Sequence, residues 1–228
     1  RGVDASLDTW WRLAAAAGVA GWALRSEFRS QRAAAAGRAQ IFQDCSALLE
    51  FPKWEYHGQA YPTLRGVYGG LPVKLEAVPD SLGLRKLPTL WLKLDVLQPL
   101  PVPGTLAYLL RPLNHEFWSP CAALPQALEV PAAWPQYASL RTNTPAMQPL
   151  LAVLANWRDA FEDERFKELV ITPRGVRVVY LAAQGSRLHY GVFRRAQFTE
   201  LPVPPTRLAQ PLALACAVHA AAEKITWT

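Results

Sequence analysis

The sequence predicts an α+β protein: two small antiparallel sheets with packed helices, joined by a proline-rich segment and preceded by an N-terminal amphipathic helix. Three observations lead there. Residues 8–42 lack proline and are rich in alanine and arginine, a helical composition. Two later stretches alternate apolar and polar residues around glycine turns, as antiparallel strands do. Between them, from Pro112 to Pro149, prolines recur every few residues and periodicity disappears. The expected organisation is a basic, Trp- and Ala-rich helix over 1–43, a β-rich half over 44–112, a proline-rich wrap over 113–146, and a helix, three-stranded meander and helix over 147–228.

The N-terminal helix has a plausible cap in Asp8 or Thr9. Helical spacing places Trp10, Leu13, Ala17, Leu24 and Phe28 on one stripe and Trp11, Ala14, Gly18 and Trp22 on a neighbouring one. Its uncharged run, Leu13 to Leu24, is twelve residues long. Such a run rises about 18 Å, against a bilayer core of roughly 30 Å, so it does not span a membrane. Positive charge follows the run, at Arg25, Arg29, Arg32 and Arg38, which does not suit a signal peptide. Three placements stay open: an interfacial anchor, a helix docked on a partner, or a helix packed on the protein's own core. The docking residues would be Trp10, Trp11, Leu13, Gly18, Trp22, Leu24, Arg25, Arg29 and Arg32.

Strands begin after Phe51. Gly69-Gly70 sits between two extended runs and marks a hairpin, because primed turns need positive φ at both central positions. Val73, Leu75 and Ala77 alternate with Lys74 and Glu76, so one face of that strand is wetted. Residues 87–96 and 104–112 supply two further strands, linked by the proline-stiffened PLPVPG. The wrap that follows is expected to be ordered but irregular.

In the last third, residues 147–161 read as an amphipathic helix and residues 206–224 as another, with Leu208, Leu212, Cys216 and His219 on one stripe. Between them lie strands near 167–172, 176–182 and 188–195. The segment KELVITPRGVRVVY, Lys167 to Tyr180, is apolar on both faces and so calls for cover on both sides. A three-residue loop with Gly175 in the left-handed position would set Val170 opposite Val178 and Glu168 opposite Tyr180.

Composition narrows function more than it names it. Apolar residues make up 51% and charged residues 18%, against about 25% charged in a typical domain. That leaves apolar surface to be hidden, and nine tryptophans suggest an interface. The net charge of +6 and pI near 9.4 favour anionic partners such as acidic headgroups. Cys45, Cys121 and Cys216 are widely spaced and odd in number, so reduced, buried thiols are expected rather than disulfides or a zinc site.

Motifs for chemistry are sparse. None of the four histidines, His57, His115, His189 and His219, belongs to a metal-binding pair. The densest constellation is NHEFWSPC, where His115, Glu116, Ser119 and Cys121 bring a base, an acid, a hydroxyl and a thiol into the wrap. Ser119 lacks a G-x-S-x-G elbow, and RGVYGG matches no phosphate loop. Arg174, Arg177, Arg187, Arg194 and Arg195 with Tyr180, Tyr190 and Phe193 have the residue types of a single-strand-binding sheet, although the tyrosines stand among valines.

The functional expectation is a non-catalytic accessory or scaffold subunit of a larger bacterial, membrane-associated complex, with protein partners and an anionic membrane surface, at the cytoplasmic face. No cofactor and no metal are expected, and nucleic acid is disfavoured. The alternatives are a cytoplasmic hydrolase or transferase acting through His115, Glu116, Ser119 and Cys121, and a single-stranded nucleic-acid-binding module.

Overall fold

Apolar side chains at every second position line one continuous wall, and that wall is a single sheet. The computed structural model describes residues 18, 21–22, 25–26, 28–29, 32, 35–58, 60–80, 87–113, 115–185, 198 and 201–227. Their strands are β1 (Glu50–Glu55), β2 (Thr63–Tyr68), β3 (Leu71–Asp80), β4 (Thr89–Val96), β5 (Leu106–Leu110), β6 (Gln126–Ala127), β7 (Ala138–Thr142), β8 (Phe166–Thr172) and β9 (Gly175–Gln184). They form one nine-stranded sheet in the order β1-β2-β3-β4-β9-β8-β5-β7-β6, with every neighbouring pair antiparallel. The expected two small sheets are thereby corrected. The β8–β9 hairpin pairs with β4 on one side and β5 on the other, so it joins both halves into one ladder.

The hairpin is possible because the link from β4 to β5 arches over its turn. Leu100 N–H donates to the Pro173 carbonyl at 3.0 Å. Gly175 stands so close to the Val96 carbonyl oxygen that any Cβ there would collide with it, and its φ is +135°. The register differs from expectation by one residue. Thr172 pairs with Gly175, closing a two-residue loop, and Leu169 lies opposite Val178 with Glu168 opposite Val179. Gly175 serves close approach within the strand, not a left-handed loop position.

A one-residue shift exchanges faces. Phe166, Leu169, Ile171, Val176, Val178 and Tyr180 now share the core face with Leu90, Leu92, Leu94, Tyr108 and Leu140. The helices packed on the sheet include α1 (Pro149–Leu154), α2 (Arg158–Phe161) and the long α3 (Pro205–Glu223), with α3 packed over β4 and β9. Helix α3 runs through Pro211, and Leu208, Leu212 and His219 are buried on its inner stripe. The expected continuous helix over 147–161 is broken by a 3-10 turn at Ala155–Trp157. Tyr108, Trp134, Phe161 and Phe166 form an aromatic cluster with ring centroids 5.0 to 5.3 Å apart. Core packing begins at Ile41 and Phe42, both fully buried, and Val203 N–H donates to the Ile41 carbonyl.

The amphipathic N-terminal helix is not part of this architecture. Its described residues are helical, but Trp22 is 73% and Phe28 62% exposed. Arg25, Phe28, Arg29 and Arg32 border one shallow depression. Among the described residues, aromatic and cationic side chains therefore share a surface. Most of residues 1–34, and all of the third meander strand expected near 188–195, lie outside the described residues.

Candidate functional site

The outer face of the sheet, opposite the helices, carries the polar chemistry. Cross-strand pairing aligns Lys74 with Asp95 and Asp95 with Arg177, and sets Glu76 opposite Lys93. Opposite charges in those positions pair: Arg177 Nε donates to Asp95 Oδ1 at 2.6 Å, and Glu76 Oε2 lies 3.1 Å from both Lys74 Nζ and Lys93 Nζ. Burial alone would raise the Glu76 carboxyl, but the two lysines hold it below the usual range.

Further along this face, the first part of the wrap folds back over β5, β7 and β8. A bulge between Phe166 and Glu168 turns Lys167 to this side. Lys167 Nζ donates to the carbonyls of Leu110 (3.0 Å) and Arg111 (2.6 Å) and lies 2.8 Å from Glu116 Oε1. Arg111, with φ +46°, presents that carbonyl as the chain leaves β5. Glu116 Oε1 also accepts from Leu113 N–H, and Oε2 from His115 N–H. Burial works to raise the Glu116 carboxyl, and Lys167 with the N–H groups of Leu113 and of Glu116 itself outweighs it, so the net shift is downward. Trp118 covers Trp91 with ring centroids 5.7 Å apart, and Lys167 Nζ lies 5.8 Å from the Trp91 ring.

Beside this pair lies Glu168, whose side chain is fully buried. The Ser119 hydroxyl donates to Glu168 Oε1, and Ser119 Oγ accepts from Cys121 N–H at 3.1 Å. Among the described residues Glu168 Oε2 has no hydrogen-bond partner. Burial pushes this carboxyl from 4.5 up to about 7, against the opposing pull of Ser119, Arg177 and Lys167.

Above it opens a cavity of about 510 Å³ lined by Leu109, Pro112, His115, Glu116, Phe117, Ser119, Cys121, Ala122, Ser139 and Arg141. The structure thus brings His115, Glu116, Ser119 and Cys121 to one cavity, as their sequence adjacency allowed but did not require. Their contacts distribute them differently from a catalytic relay. His115 Nδ1 donates to the Leu113 carbonyl at 2.9 Å, and Nε2 lies 3.6 Å from Asp80 Oδ2. Ser119 is bonded to Glu168. Cys121 Sγ donates to Ser139 at 3.6 Å, and burial pushes its thiol up, away from the reactive thiolate.

Sequence reasoning missed Glu168, Lys167 and Arg141. A signal existed for the first two, since an adjacent Lys-Glu pair opening an otherwise apolar strand needs partners. The remaining histidines have local roles: His57 Nε2 lies 3.2 Å from Thr63 Oγ1, and His219 Nε2 donates to the Gln98 carbonyl at 3.0 Å. His189 lies outside the described residues. Among the described residues, no group of three or more His, Cys, Asp or Glu side chains is arranged to hold a metal ion. Cys45, Cys121 and Cys216 are free thiols, and burial pushes Cys45 up to about 12.

Of the docking residues, Gly18, Trp22, Arg25, Arg29 and Arg32 are helical and exposed, whereas Trp10, Trp11, Leu13 and Leu24 lie outside the described residues. Among the described residues no helix is long and apolar enough to cross a membrane. For the nucleic-acid alternative, Tyr180 is buried and its hydroxyl donates to Asp163, and Arg177 is paired with Asp95. Arg187, Arg194, Arg195, Tyr190 and Phe193 lie outside the described residues. No protein-family model, no curated protein and no solved structure matches this chain.

Proposed function

We propose that this chain is a non-catalytic accessory or scaffold subunit of a larger, membrane-associated assembly, docked through its N-terminal helical segment. The observation that carries this reading is the surface holding Trp22 and Phe28, exposed beside Arg25, Arg29 and Arg32. Large exposed aromatics next to guanidinium groups suit a layer of acidic headgroups, where rings sit at the interface and cations meet phosphate. The contacts of the outer-face cluster point the same way, because Lys167 and Glu116 spend their hydrogen bonds on fixing the wrap. The hydrolase or transferase alternative has one observation in its favour, the shared cavity of His115, Glu116, Ser119 and Cys121.

The test is flotation of the intact chain on vesicles with and without acidic lipid, together with native pull-down from the source membrane. Intact protein is expected to bind acidic vesicles and retain partners. A full-length variant carrying Trp22→Ala, Arg25→Glu, Arg29→Glu and Arg32→Glu is expected to lose both. An intact chain that stays monomeric, ignores acidic vesicles and captures nothing would end the proposal.

A further inference from the structure

The cavity over β5 and β7 has an electrostatic property that the fixing role of Lys167 and Glu116 does not explain. Arg141 enters it from β7, two residues beyond Ser139 and on the same face. Its guanidinium is held along one edge by neutral acceptors. Nε donates to the Leu124 carbonyl at 2.7 Å and Nη2 to the Pro125 carbonyl at 3.3 Å. No carboxylate among the described residues pairs with it.

The other charges around the cavity cancel or are masked. Glu116 is neutralised by Lys167 at 2.8 Å. Ser119 stands between the cavity and Glu168, with its proton committed to that carboxyl. The Ser139 hydroxyl lies 3.6 Å from Cys121 Sγ. The polar groups the cavity offers are therefore the Arg141 guanidinium, the Ser139 hydroxyl and the His115 ring, the last with Nε2 3.6 Å from Asp80 Oδ2. Leu109, Pro112, Phe117 and Ala122 supply the apolar part of the lining, with Phe117 exposed at the rim.

A rigid guanidinium without an acid partner is arranged to receive one, since Arg presents a planar fork that fits a carboxylate. A volume of about 510 Å³ falls in the range of small-molecule sites, which combine an apolar lining with a few convergent polar groups. We infer that this cavity binds a small monocarboxylate carried on an apolar body, with Arg141 and Ser139 holding the carboxylate and Leu109, Pro112 and Phe117 packing the remainder. The site is independent of the N-terminal surface, so either proposal stands or falls alone.

Octanoate, used below its micellar concentration, is a suitable probe, with acetate and octan-1-ol as the carboxylate-only and apolar-only controls. Titration calorimetry on the full chain is expected to show saturable one-to-one binding of octanoate, at least tenfold tighter than either control. Arg141→Met is expected to weaken octanoate at least tenfold while leaving octan-1-ol unchanged. Because that variant also removes two hydrogen bonds to the cavity wall, Ala122→Phe provides a second test. It fills the cavity from an exposed position and is expected to abolish binding of both octanoate and octan-1-ol. Octanoate binding no tighter than octan-1-ol, or binding indifferent to Ala122→Phe, would overturn the inference.

Discussion

Glu168→Gln separates the cost of a buried charge from the value of the hydrogen bond it makes. The wild-type carboxyl is fully buried, bonded among the described residues only through Oε1, and pushed up to about 7. In the unfolded chain it titrates near 4.5, so between these values the native state binds more protons than the unfolded one. Stability therefore falls as pH rises through that window and levels off above it. Integrating over about 2.5 pH units at 1.36 kcal/mol each gives a penalty of about 3 kcal/mol at pH 8, of which less than about 1 kcal/mol is present at pH 5. Glutamine keeps the Ser119 hydrogen bond and never ionises. Its amide nitrogen takes the unpartnered position, costing on the order of 1 kcal/mol at every pH. Urea unfolding of both proteins at several pH values is the assay. The variant is expected to be slightly less stable than wild type near pH 5 and more stable near pH 8, a relative change of about 2 kcal/mol or more. Parallel stability curves would refute the reasoning, since they would mean that Glu168 ionises in the folded protein as readily as in the unfolded one.

Two other outcomes follow from the same contacts. Glu116→Gln leaves the Lys167 cation without its carboxylate at a pair whose side chains are 3% and 6% exposed, and should cost about 3 kcal/mol at neutral pH. Because the Glu116 carboxyl is held below its usual range, the wild-type advantage should shrink as pH falls through its folded value. An equal gap between the two urea midpoints at pH 7 and in acid would contradict this. Gly175→Ala drives a Cβ into the Val96 carbonyl at φ +135° and should cost on the order of 4 kcal/mol. A thermal midpoint within a few degrees of wild type would show that the arch from β4 to β5 yields more easily than its packing suggests.

Local structure was legible in the sequence where one rule acted alone. Gly69 and Gly70 take φ of +57° and +80° in the β2–β3 hairpin, as the pair of glycines required. Val73 and Leu75 are buried on the alternating strand that follows. What escaped was long-range pairing. Nothing local in LPTLWLKLDV or GTLAYLLRP says that a hairpin from beyond residue 165 will lie between them. The register of that hairpin was missed because Gly175 has two uses, a left-handed loop position or close approach within a strand, and only the Val96 carbonyl decides between them. Strand β7 went unseen inside the wrap because five residues between prolines carry too little pattern. The cluster NHEFWSPC was visible as a set of groups. Its partners Lys167 and Glu168 come from β8 and the Arg141 beside it from β7, so the cavity's charge balance could not be read from the segment itself.

Inserting the β8–β9 hairpin between β4 and β5 also constrains how the chain can acquire its structure. Until residues 166–184 have been synthesised, β4 and β5 each present an unpaired edge made of strongly apolar strands. The segments carrying β4 and β5 cannot close into one ladder on their own, because the hairpin that joins them follows both in sequence. Such sequence-distant pairing is slow to form and exposes sticky edges meanwhile. A nascent chain halted before Phe166 should therefore depend on a chaperone.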